Sequence, residues 1–235
     1  MPKEQVKAET MKHEVPEKSP NQKNDMLKIR QKLGSYKEII EKTNAYKECI
    51  DKIPSVKTLR CLALGSPSDS NIAMYQLAFL VLLQEKFKFE VSAYDPIFND
   101  NDNELFSYLK ITVEEDFEAE METTLYYLPH APLDLTETII KTEIKYMLGN
   151  NIAKHTERLT KSKLHQQYPT LSHLVNLTTQ ETKDEFITVS RRKKYVPPKI
   201  EYDYSTTYFK SLQLTEFDND GPLNCFSDMT LHVIE

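Results

Sequence analysis

The sequence predicts an α/β fold of three layers, a mostly parallel sheet with helices on both faces. The first sign is the stretch from Leu59 to Pro96. Leu59-Arg60-Cys61-Leu62-Ala63-Leu64 is a short apolar run of buried-strand length, and Gly65 ends it where a turn needs a residue without Cβ. From Ile72 to Phe87 the chain is apolar on nearly every face, as in a buried helix, and Phe89 to Tyr94 reads as a second strand closed by Asp95-Pro96. Strand, buried helix, strand makes the two strands parallel. The second sign is that the alternation recurs, with a strand at Thr123–Leu128 and a helical pattern through Leu133, Ile140, Ile144 and Met147. The third is a closing strand at Leu231–Ile234. Together these predict a Rossmann-like three-layer sandwich.

Taken in order, residues 1–24 are lysine- and glutamate-rich with almost no apolar side chains, the composition of a disordered tail. Residues 25–54 form a helical lead-in: Met26, Ile29, Leu33, Tyr36 and Ile40 step by three and four, with Asp25 as a cap and a break near Gly34-Ser35. Residues 55–235 hold the α/β domain. Ser68, Asp69 and Ser70 are placed to cap the buried helix. After Pro96 comes an acidic loop through Glu104, which lacks the glycine of a calcium loop and fits a helix cap better. Thr112-Val113 reads as a short strand, followed by acidic residues 114–122. Residues 152–177 are helical and more polar, broken at Pro169. Phe186–Val189 reads as extended, and Arg191-Arg192-Lys193-Lys194 with Pro197-Pro198 as a basic surface insertion, of the kind that also serves nuclear localisation.

Composition narrows the function classes. The chain has 235 residues, 39% hydrophobic and 28% charged, with net charge -6, which argues against broad nucleic-acid binding. Three cysteines without metal or redox spacing fit a reduced compartment, and neither a secretory core nor a membrane span is legible. These features point to a cytoplasmic protein with access to the nucleus.

In an open α/β sheet, ligands bind outside the carboxyl ends of the strands. Gly65, Ser66 and Ser68 follow the first strand, Asp95 the second and His130 the third, while Asn150 follows Gly149. They form a candidate ligand pocket, joined by Asp228 and His232 if the face of the last strand that carries His232 meets it. A helix start after Ser70 offers amide donors to an anion, and Asp95 stands where dinucleotide and methyl-donor folds hold a ribose hydroxyl. Against a phosphate, there is no GxGxxG and no P-loop, the chain has four glycines, and Asp69 would repel it. His130, between Pro129 and Pro132, can serve as a base or a ligand, and reads first as a structural histidine bonded to a backbone carbonyl. Catalytic candidates are His130, Asp95 and Ser66, the last only if a histidine reaches it. No metal-binding group is read from the spacing.

Several blocks resemble one family. Ala63-Leu64-Gly65-Ser66, Ile72-Ala73, Tyr75–Leu80, Tyr94–Phe98, Leu125–His130, Gly149-Asn150 and Phe226–His232 are similar, in order, to the Sensitivity to Red Light Reduced family. The resemblance implies a regulator acting through protein partners or a small ligand. For a fungal-type member it implies stress-response and microtubule-linked roles with benomyl resistance, and for others clock and haem-biosynthesis regulation. Haem enters by that resemblance alone, with His130 or His232 as axial ligand. The alternative is a nucleotide- or S-adenosylmethionine-dependent transferase. The chain departs from its relatives at Ala131, where a cysteine or small residue is common, and at Ala63, where a second glycine is common.

Overall fold

The computed structural model describes residues 20–118, 120–181 and 200–235. Residues 1–19, the segment Phe186–Val189 expected as a short strand or extended piece, and the basic run Arg191–Lys194 with Pro197-Pro198 lie outside the described residues.

A seven-stranded sheet forms the middle layer, in the order β3-β2-β1-β4-β5-β7-β6. Strands β1 (Thr58–Leu62), β2 (Glu90–Tyr94), β3 (Thr112–Val113), β4 (Thr124–Leu128) and β5 (Tyr146–Asn150) run parallel to one another. β7 (Met229–Ile234) runs antiparallel between β5 and β6 (Leu212–Glu216). The chain builds outward from β1 to β3, then returns to the other side of β1 with β4. The crevice between the carboxyl ends of β1 and β4 is therefore the point where strand order reverses.

Two apolar cores flank the sheet. One holds α1 (Pro20–Ile40), α2 (Asn44–Ile50), α3 (Asn71–Phe87) and α4 (Asp100–Leu109), and the other holds α5 (Leu133–Ile140), α7 (Lys161–Gln167) and α8 (Pro169–Glu181). Helix α3 is apolar all round because it is covered twice. Phe79 stacks on Tyr127 of β4 with ring centroids 6.0 Å apart, and Tyr75 stacks on Tyr36 of α1 at 3.8 Å.

The lead-in differs from its sequence reading. α1 begins at Pro20, inside the expected tail, with Asp25 in its body paired to Lys28. It also runs straight through Gly34, since Leu33, Tyr36 and Ile40 keep packing against the core on either side. The break falls instead at Thr43, whose hydroxyl accepts the Tyr46 N–H and starts α2. The acidic loop after Pro96 is mostly helix. Asn99 and Asp102 form a reciprocal capping box at the start of α4, and Asp102 is fully buried. Acidic residues 114–118 are tied to the sheet by buried Arg60, which donates to Ser92 Oγ and to the Glu115 carbonyl (2.9 Å) and lies over the Phe117 ring.

Candidate functional site

A cleft of about 400 Å³ opens at the reversal point, between the β1–α3 loop, Ile97 after β2 and His130 after β4. Its apolar wall is Leu64, Ile72, Ala73 and Ile97, the last 61% exposed. Its polar lining is Ser66, Asp69, Ser70 and His130. A larger hollow of about 640 Å³ lies beside the first residues of β1 and β2, among exposed Glu90, Asp116 and Glu118, and gathers none of the candidate residues.

The β1–α3 loop owes its shape to internal bonds. Gly65 has φ +78, the left-handed region that glycine enters without strain. Its N–H donates to Asp95 Oδ2 (2.9 Å), while Asp95 Oδ1 accepts the Ile97 N–H (3.2 Å). Asp95 thus clamps both sides of the cleft mouth. Ala63 also has positive φ, +55, so glycine would fit that turn without the penalty a Cβ incurs. Ser66 is buried; its hydroxyl donates to Asp69 Oδ2 (3.1 Å) and accepts from Asn99 Nδ2 (3.1 Å). Ser68 turns inward, its N–H donating to Asp102 Oδ1 (2.8 Å). Ser70 caps α3 by accepting the Ala73 N–H.

His130 is held from behind. Gln76 is completely buried on α3, and its Nε2 lies 2.9 Å from both His130 Nε2 and the Cys225 carbonyl. A carbonyl only accepts, so the amide NH₂ must point that way, and its second hydrogen needs a lone pair on His130 Nε2. That bond assigns the His130 proton to Nδ1. Burial of this edge lowers the pKa of His130, keeping the ring neutral at pH 7. Gln76 Oε1 has no hydrogen-bond partner among the described residues.

Gly65, Ser66 and His130 therefore meet in one cleft with Asp95 bonded to its rim, and Ser68 supports the loop from inside. Asp228 and His232 do not join them. His232 leaves the sheet on the side of α6 (Ile152–Thr156), fully buried, with Nδ1 3.2 Å from the Met147 carbonyl and Nε2 accepting the Ile152 N–H (3.3 Å). Burial pushes its pKa down to about 4. The Asp228 carbonyl accepts the Asn151 N–H (2.8 Å) at the start of α6, and its side chain is exposed. Asn150 closes β5 opposite Met229 and does not line the cleft. His232 stays out of the pocket because the alternation that turns it out of the sheet points it at α6.

The catalytic candidates separate. Ser66 bonds Asp69 and Asn99, and His130 bonds Gln76, so among the described residues no histidine activates the serine. The thiols of Cys49 and Cys61 are buried and raised, and burial pushes Cys225 up to about 12, which leaves them protonated and unreactive at neutral pH. Among the described residues no three His, Cys, Asp or Glu side chains gather as a metal site, and no helix is long and apolar enough to cross a membrane. A haem iron has no open nitrogen on His232, whose two ring positions are both bonded.

Gln76, the Cys225 carbonyl and Ile97 are the parts that sequence reasoning missed. Gln76 carried one signal, a carboxamide inside an otherwise apolar helix face, which must find buried partners.

Comparison with known proteins agrees with the resemblance. The family model described as the SRR1 domain matches residues 29–233. An SRR1-like protein of Drosophila melanogaster is 35% identical over 85 residues, which is 34% of this chain and 31% of that protein. The matched part thus spans about a third of that relative. No solved structure gives a significant match. With a family model covering nearly the whole described fold, the chain belongs to the SRR1 domain family.

Proposed function

We propose that the chain is a regulatory protein whose carboxyl-edge cleft receives a small ligand and which acts through protein partners. One observation carries this reading. At the point where strand order reverses, most of the loop's polar groups bind each other, leaving an apolar wall with His130 beside it at the opening. That is the makeup of a recognition site. In this reading the family's implied roles follow: stress response, microtubule-linked processes and benomyl resistance for a fungal-type member, biological rhythms and haem-biosynthesis regulation for others. A cytoplasmic site of action with access to the nucleus goes with it.

A second reading is supported by topology. The strand order reverses beside β1, with Asp95 at the end of β2, where dinucleotide- and methyl-donor-binding folds hold a ribose hydroxyl. Fold likeness alone does not assign chemistry. A transferase would use the same cleft.

The test is a thermal-shift screen of the full chain against nucleotides, S-adenosylmethionine and haem, with His130→Ala and Ile97→Asp as controls. A ligand at about 100 times its Kd stabilises by about 2.7 kcal/mol. A shift lost in both variants is the expected result. A ligand-induced shift that both variants retain would take binding away from the cleft.

A further inference from the structure

We propose that the cleft takes a nucleoside without phosphate groups, its heterocycle on the apolar wall and a ring acceptor on His130 Nδ1–H. This rests on the reading of the cleft as a ligand site and names the ligand's class.

The exclusion of phosphate follows from where the loop's amides go. A phosphate at a strand–helix turn is cradled by free backbone N–H groups. Most of those around this turn are spent. Gly65 N–H donates to Asp95, Ser68 N–H to Asp102, Asp69 and Ser70 N–H to the Ser66 carbonyl, and Ala73 N–H to the Ser70 hydroxyl. No lysine or arginine lines the cleft, and the exposed Asp69 carboxylate does. An anion entering there would meet a like charge with no cation to offset it.

What remains suits a nucleoside. Leu64, Ile72, Ala73 and Ile97 offer a wall for a flat ring, and the volume of about 400 Å³ is in the range of small-ligand pockets. His130 gives one donor of fixed direction, because Gln76 and the Cys225 carbonyl lock its other nitrogen as an acceptor. Gln76 is therefore a positioning residue. Asp95 uses one lone pair of each oxygen on Gly65 and Ile97, both in the cleft lining, and keeps the others for donors such as sugar hydroxyls. Asp69 tolerates or attracts a positive charge, so a sulfonium-bearing nucleoside is compatible as well.

The experiment is calorimetric titration of the full chain with four probes: adenosine, S-adenosylhomocysteine, AMP and ATP. The two phosphate-free probes are expected to bind, with AMP and ATP weaker by about tenfold or more, the scale of one uncompensated like-charge contact. Asp69→Asn, which keeps an oxygen for Ser66, is expected to narrow that gap. Gln76→Leu, which frees the His130 tautomer, is expected to weaken adenosine, with the loss varying with pH between 5 and 8. AMP or ATP binding as tightly as adenosine to the unmodified chain would overturn the proposal. So would silence from all four probes. If haem or another phosphate-free molecule then still bound in a manner lost in Ile97→Asp, this ligand class would fall and the cleft reading would stand.

Discussion

Gly149→Ala is expected to cost the fold about 3 kcal/mol, the upper range for an atom forced into a packed interior. Gly149 sits in β5 opposite Leu128 of β4, and a Cβ built on it would lie 2.5 Å from the Leu128 carbonyl oxygen and 3.2 Å from its carbonyl carbon. Both are backbone atoms of a central strand, with no flexible side chain to swing aside. The two strands must separate where β4 runs on into His130, so the damage reaches the cleft floor. For a chain of this size such a loss lowers Tm by roughly 6–12 °C. Denaturant melts of the two proteins decide it, and a change below about 0.5 kcal/mol, the level of an inert surface substitution, would mean the strands are not packed as described.

The second large effect is an acid transition set by His232. Its folded pKa, about 4, lies below the 6.5 of an unfolded histidine, because the ring is buried and both nitrogens are engaged as a neutral imidazole. Between these values the unfolded chain binds the proton and the folded chain does not. Stability therefore falls as pH drops from about 6.5 to 4 and is unaffected by this group above that window. The full span is worth about 3 kcal/mol at one pKa unit per 1.36 kcal/mol. Unfolding free energies measured from pH 8 to pH 4 should show this slope, and His232→Gln should flatten it while lowering stability at neutral pH. A variant whose pH profile parallels the parent's would place the acid sensitivity elsewhere.

Much of the fold was legible because burial imposes patterns on short stretches. The β1–α3–β2 unit reads directly: α3 lies between the sheet and α1, so no face of it has to be polar. The strand-end residues Gly65, Ser66, Asp95 and His130 were legible for the same reason, since strand ends in a parallel sheet share one edge. β6 was not, because Leu212–Glu216 is an edge strand with one well-buried residue and too little alternation to separate it from a loop. The start of α1 was hidden by its charge: a helix that packs one narrow stripe on α3 looks, at its outer turns, like a solvated tail. Asp102 read as part of an acidic loop, yet it is buried because two backbone amides, those of Ser68 and Asn99, converge on it from different segments. Gln76 and His232 make the same point from the other direction. Each is defined by a carbonyl distant in sequence, at Cys225 and Met147, and no local pattern reveals that.

The central claim is that binding happens at the cleft between the carboxyl ends of β1 and β4. The most direct measurement is amide hydrogen exchange on the full chain, with and without the strongest binder from the ligand screen. Protection confined to residues 64–73, 95–97 and 129–131 is the result the account predicts. Protection that leaves those segments unchanged and appears instead at the hollow beside Thr58 and Glu90, or along α7 and α8, would contradict it.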